Sequence, residues 1–151
     1  MKKTGTVLAV CLGESRKKPK KPVLKGIMIK DYGLKGDVHA GRDHKQISLL
    51  SLKSLEKNRK QGFQLGYGDL FENIDFDGID DLYLYPIGTQ IKIGRDIVLS
   101  ITQIGKEHEV EIIVKGQKVN SIMPEEGIFA CVVKGGSVSP GDMIEVVKKD
   151  D

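Results

Sequence analysis

Only two cysteines, Cys11 and Cys131, occur in 151 residues, and no CxxC or other zinc spacing exists. Each sits inside an apolar run. Both read as buried small hydrophobes rather than as a disulfide. No apolar run approaches the roughly 20 residues that a membrane-crossing helix needs. The segment Val7 to Leu12, behind Met1-Lys2-Lys3, is too short for the core of a signal peptide. The chain therefore reads as a cytoplasmic protein. There is no G-x-S-x-G elbow, no phosphate-binding P-loop, and no cysteine beside a histidine. Internal repeats and low-complexity linkers are absent too.

Hydrophobic residues make up 39% and charged residues 30%, the balance of a folded domain rather than a disordered or membrane chain. The length fits one domain over 1–151, with a frayed tail at about 148–151. A chain of this size buries a real core. The net charge of +3 is mild and implies no nucleic-acid partner. Cations are concentrated locally, however, in Arg16-Lys17-Lys18-Pro19-Lys20-Lys21-Pro22. This run is either a solvated, extended loop or a mouth that attracts an anion.

Short strands separated by glycine turns dominate the pattern. Val7 to Leu12, Val23 to Ile29, Ile47 to Leu50, Ile97 to Ile104 and Phe129 to Val133 are strand-length apolar or alternating runs. Pro86-Ile87-Gly88 and Pro140-Gly141 are turns that launch the strands Thr89 to Ile93 and Asp142 to Val146. One helix is predicted after Ser51 or Ser54, with Leu52 and Leu55 on one face and Gly62 as its stop. Gly66 to Asp81 reads as irregular. Many short strands with one or two short helices predict a mainly β chain, folded as a closed or partly closed antiparallel barrel.

Three segments place polar residues and glycine where a barrel needs neither. In Gly36 to Gln46, His39, Arg42, His44 and Lys45 are donors suited to an anion, Arg42 bidentately. The alternative, a surface loop with adventitious charges, is disfavoured by the concentration of two imidazoles with two aspartates. A metal site from Asp37, His39, Asp43 and His44 is disfavoured, because the two histidines stand five apart and no spacing forces convergence. In Gly68 to Ile74, Glu72 and Asn73 could fix a heterocycle by its ring edge, or simply form a turn. In Ile122 to Ala130, adjacent Glu125 and Glu126 on an extended chain would face opposite ways, so a structural loop is expected.

Taken in order, these blocks resemble those of MOSC domains, the molybdenum cofactor sulfurase C-terminal family. Gly5-Thr6-Val7-Leu8-Ala9-Val10 is similar to the family's first strand, and Gly33 to Gly41 to its glycine-aspartate-histidine block. Gln46 to Leu50, Gly68-Asp69, Glu72-Asn73-Ile74, Pro86 to Thr89, Thr102 to Lys106, and Met123-Pro124 with Glu126 to Ala130 complete the likeness. It spans nearly the whole chain. The resemblance implies a barrel of the pyruvate kinase barrel-domain type and a molybdopterin-type cofactor. The partners it implies are that anionic cofactor and a molybdenum enzyme or cofactor-biosynthesis protein. His39, Arg42, Lys45, Gln46, Glu72, Asn73 and His108 would be the binding residues. Several branches of the family carry sulfur on a cysteine. Here Gln103 to Glu107 is followed by His108-Glu109, and no cysteine stands from Ile104 to Ala130. A persulfide needs a thiolate. Lys45 also replaces a common arginine, and Glu125 stands at a position often basic in relatives.

Three functions follow. The first is a module that binds a molybdenum-pterin cofactor or a related anion without carrying sulfur. The second is a sulfur-transfer enzyme, which needs Cys11 or Cys131 in the cleft. The third is an interaction domain unconnected with molybdenum, using residues 16 to 21 to recruit an acidic partner.

Overall fold

Alternation sets the barrel wall. In β1 (Thr4–Leu12), Val7, Ala9, Val10 and Cys11 are buried. Two short strands, β2 (Lys21–Val23) and β3 (Gly26–Ile29), follow, then β4 (Gly33–Leu34) and β5 (Ile47–Ser51), every residue of which is buried. Helix α1 (Leu52–Arg59) leads to β6 (Ile74–Asp77). In β7 (Gln90–Ile93), Ile91 and Ile93 turn inward while Gln90 and Lys92 face out, a strict period of two. Strand β8 (Ile97–Ile104) and the hairpin β9 (Glu111–Val114) and β10 (Gln117–Asn120) come next. A single helical turn, α2 (Met123–Glu126), precedes β11 (Ile128–Lys134), β12 (Gly136–Val138) and β13 (Met143–Val147). This computed structural model describes residues 3–41 and 43–147.

The main sheet runs β13, β7, β8, β11, β5, β6, β1, and β1 pairs back onto β13. Seven strands therefore close into a barrel, and β2 extends it from β1. Closure leaves no open edge in the wall, so a mainly β chain with two short helices takes the closed form of the expected barrel. Every pairing in it is antiparallel except β5 with β6. Strand β3 lies outside, between β12 and β4, and β9–β10 stands as a separate ribbon. Apolar side chains such as Val7, Leu49, Phe76, Ile91, Ile101 and Ile144 fill the barrel. A second apolar cluster joins Leu50 and Leu55 to Leu70, Val114, Val119, Met123 and Phe129. That outer cluster fastens α1, the ribbon and α2 to one side of the barrel.

Three expectations need correction. Val23 to Ile29 is not one strand. It divides at Leu24-Lys25, and Leu24 is 90% exposed, because β2 pairs with the barrel while β3 belongs to the outer sheet. Gly66 to Asp81 is not all irregular. Its residues Ile74–Asp77 form β6, wedged between β5 and β1. The acids at 75 and 77 masked a sound alternation of Ile74 and Phe76. Glu125 and Glu126 lie on a helical turn rather than on extended chain, opened by Met123-Pro124, where a proline lacks no needed N–H.

Of the two candidate caps, Ser51 opens helix α1, and its Oγ accepts from the Ser54 backbone N–H at 3.1 Å. Basic Lys57 and Arg59 in its last turn suit the helix dipole. Lys57 also reaches Glu126, whose other oxygen accepts from Ser54 Oγ at 2.6 Å. Ser51→Ala is expected to cost about 1 kcal/mol in urea unfolding. A change below about 0.3 kcal/mol would show the cap to be redundant.

Candidate functional site

A cleft of about 310 Å³ opens where the barrel wall meets the outer cluster. Its floor follows from strand register. Phe129 of β11 lies opposite Ser48 of β5 on one side and Gln103 of β8 on the other. The β8–β11 pairing is irregular between Phe129 and Ala130, and such a bulge re-aims side chains at a barrel rim. Phe129, Leu70, Phe71, Val110, Ile112 and Met123 supply apolar surface. Arg16, His39, Lys45 and Lys106 supply cationic or donor groups, and Ser48, Asn73 and Ser121 the remaining polar lining. No carboxylate lines the cleft among the described residues. A neighbouring groove shares Lys45, Lys106 and Val110 with it, and adds Gln103, Glu107 and His108.

The two lysines converge on one ring. Lys45 Nζ lies 5.4 Å and Lys106 Nζ 5.7 Å from the Phe129 centroid, within cation–π range. Loss of hydration in the cleft, and then the Lys45 charge, lower the Lys106 pKa from its ordinary value. Two ammonium groups held this close favour an anion between or above them. Gly105 keeps Lys106 in place. Its φ of +69° lies in the left-handed region, and a Cβ there would sit 2.2 Å from the Pro124 carbonyl oxygen. The backbone N–H of Lys106 donates to that same carbonyl at 2.8 Å.

His39 stands on a buried ion pair. Asp37 Oδ1 accepts from Lys20 Nζ at 2.6 Å and from the Gly13 N–H at 2.9 Å. Its Oδ2 accepts from the His39 N–H at 3.2 Å. Lys20 Nζ also lies 2.9 Å from His39 Nδ1. Burial pulls the Lys20 pKa down, opposed by the Asp37 carboxylate. Burial, then the Lys20 charge, lower that of His39, with Asp37 opposing. Lys20 is only 2% exposed, so the basic run from 16 to 21 is divided in use: Arg16 lines the cleft, Lys17 and Lys18 are solvated, and Lys20 is internal.

Of the residues singled out in the sequence, His39, Lys45 and Asn73 line the cleft, and His108 opens on the adjoining groove beside Lys45. Arg42 lies outside the described residues, as does the tail from 148. Gln46 is 7% exposed and spends its amide on the fold, with Nε2 donating to the Asp43 carbonyl and Oε1 accepting from the Val132 N–H. Glu72 is fully buried, accepts from the Leu70 N–H at 3.0 Å, and does not line the cleft. Asn73 lines it, but its amide is engaged. Oδ1 accepts from Ser48 N and Oγ, and Nδ2 donates to the Cys11 carbonyl. His44 Nε2 pairs with Gln103 Oε1 at 2.9 Å. Among the described residues, no three of His, Cys, Asp or Glu gather as a metal-holding group.

Sequence reasoning missed Lys106, Ser48, Phe71, Phe129 and the separate role of Arg16. Phe71 carried no signal at all, yet it holds φ +71°, a strained value for a bulky residue, at the cleft wall. Neither cysteine lines the cleft. Cys11 is buried, and burial followed by the Asp75 and Glu72 charges pushes its thiol pKa up, away from a reactive thiolate.

No protein-family model and no curated protein matches the chain. Solved structures do. YuaD protein of Bacillus subtilis superposes with a TM-score of 0.74 at 20% identity, over 97% of each chain. YiiM of Geobacillus stearothermophilus gives 0.67 at 14% identity, over 95% of this chain and 75% of its own. YiiM of Escherichia coli gives 0.64 at 18% identity, over 100% of this chain and 72% of its own. At such identities the likeness is one of fold: the chain shares the barrel architecture of YuaD and YiiM.

Proposed function

We propose that the cleft binds a small anion carried on a flat, partly apolar body, and that a pterin of the molybdenum-cofactor type is the ligand class that fits best. One observation carries this reading: Arg16, Lys45, Lys106 and the His39 ring surround an apolar floor with no carboxylate among them. The volume lies at the small end of ligand sites, enough for a bicyclic or tricyclic head group. The apolar lining of Leu70, Phe71, Val110, Ile112 and Met123 suits a flat ring, and the two lysines over Phe129 suit a phosphate or another oxyanion. The blocks that resemble MOSC domains supply His39, Asn73, Lys106 and Phe129 to the lining of one cleft, which supports that ligand class. A molybdopterin bound there would bring dithiolene-held metal chemistry. This chain contributes binding, orientation and charge.

The sulfur-carrier reading lacks support, since a thiol would have to enter a cleft that contains none. Alkylation of the native protein checks this, with Cys11 expected to stay unreactive.

Binding of molybdopterin to the purified protein, followed by equilibrium fluorescence under anaerobic conditions, tests the proposal. Saturation is expected on the order of micromolar. Lys45→Ala and Lys106→Ala should each weaken binding roughly tenfold, the size of one charge-assisted hydrogen bond. Affinity should also fall with added salt. Absence of saturable binding at tens of micromolar would sink the reading.

A further inference from the structure

A buried lysine is expensive to keep, and a hydrophobic residue of similar volume usually serves stability as well or better. Lys20 is 2% exposed, and its partner Asp37 is 6% exposed. The fold makes room for the pair. A Cβ at Gly13 would lie 2.9 Å from Lys20 Cγ, so glycine there lets the lysine stem pass. The ammonium then meets two acceptors, Asp37 Oδ1 at 2.6 Å and His39 Nδ1 at 2.9 Å.

An ammonium only donates. A ring nitrogen facing it must offer its lone pair, which leaves the imidazole's single proton on Nε2. The same contact opposes a second proton on the ring. No hydrogen bond uses Nε2 among the described residues, and the side chain is one-third exposed in the wall of the cleft.

We propose that Lys20 is a positioning residue: its ammonium donates to Nδ1 of His39 and fixes that ring as a neutral imidazole, so that Nε2–H faces the cleft as donor to an oxygen of the ligand. This deepens the binding function proposed above and rests on it for the ligand. The groups facing His39 are Lys20 and Asp37 from beneath and Lys106 across the cleft, with Arg16 and Lys45 in the same lining. Four of these five are cations. An anion is thus held by lysines and arginine, while the histidine contributes direction rather than charge. The ligand atom opposite it must be an acceptor; an amine or a ring N–H there would be rejected.

The tautomer is read directly, in the unliganded wild-type protein, from the ring ¹⁵N resonances of His39. Nδ1 is expected to be pyridine-like and Nε2 pyrrole-like, and the ring should stay neutral at about pH 6.5, where a free imidazole is half protonated. A pyrrole-like Nδ1, or an imidazolium at that pH, overturns the assignment even if the cleft binds ligand. K20M/D37N removes both buried charges together, avoiding a stranded carboxylate. It should let the tautomers mix and weaken molybdopterin binding about tenfold, the worth of one oriented hydrogen bond. H39A should show the same loss, and the triple variant no further loss. Additive losses, or an unchanged Nε2 resonance on saturation with molybdopterin, overturn the donor role. No binding by wild type, with the predicted tautomer present, refutes the function and the donor role but leaves the Lys20–His39 contact standing.

Discussion

Asn73→Ala is expected to destabilise the protein by about 3 kcal/mol, a large share of what a domain of this size has to spare. The side chain is 1% exposed and holds three strands in one place. It sits directly before β6. Oδ1 accepts from the backbone N–H of Ser48 in β5 at 3.0 Å and from Ser48 Oγ at 3.2 Å, while Nδ2 donates to the carbonyl of Cys11 in β1 at 3.1 Å. Its own N–H donates to Ser48 Oγ at 3.1 Å. Alanine would strand a buried N–H and a buried C=O, each worth about 1–3 kcal/mol when left unpaired. Urea unfolding at constant slope measures the loss. Asn73→Asp keeps the acceptor, loses the donor to Cys11, and adds a carboxylate near two others, so it should be no milder. A loss under about 1 kcal/mol would mean that the amide is dispensable to the fold and would return Asn73 to the ligand-binding role that its sequence position implied.

That role shows where sequence reading reached and where it stopped. The strands were legible because period-two alternation and Pro-Gly turns are local properties. β7, β8 and β13 fall within a residue or two of their predicted spans, and the Ser51 cap fixes the start of α1. Closure of the barrel, through β1 pairing with β13, needs residues about 140 positions apart and appears in no local pattern. β6 was hidden because a strand carrying Asp75 and Asp77 reads as polar, although Asp75 is fully buried. The cleft was half legible. His39 and Lys45 stand in a glycine-rich block whose chemistry is conspicuous. Residue type alone does not tell a hydrogen-bonding side chain that faces a ligand from one that faces the frame, as Gln46 and Glu72 show. Lys106 and Phe129 carry no local signal, because a lysine in a turn and a phenylalanine in a strand are ordinary. They become a site only when β8 and β11 pair.

The buried acids offer the sharpest test of the interior, and Asp75→Asn is expected to stabilise the protein at alkaline pH. Glu72 and Asp75 are both 0% exposed. As carboxylates they leave Glu72 Oε2 and both Asp75 oxygens without a donor among the described residues. A proton resolves this. Burial raises both pKa values, and the Glu72 charge and a hydrogen bond to it raise Asp75 further, while that same bond lowers Glu72. A proton on Asp75 could be donated to the Glu72 carboxylate, which also accepts from the Leu70 N–H. An acid held this way binds its proton more tightly folded than unfolded. Its contribution is complete below its ordinary value of 3.8 and is lost as pH rises through its raised value in the folded chain. Asparagine supplies a permanent donor to Glu72 and cannot ionise. The variant should match wild type in strong acid, then gain on it as pH rises, by about 1–3 kcal/mol for one charge-assisted bond kept where wild type loses it. Thermal unfolding of both proteins from about pH 4 to pH 9 measures the difference. Curves that stay parallel across the range would mean that Asp75 holds no extra proton, and a variant less stable throughout would mean that the carboxylate, and not the acid, is the form the core requires.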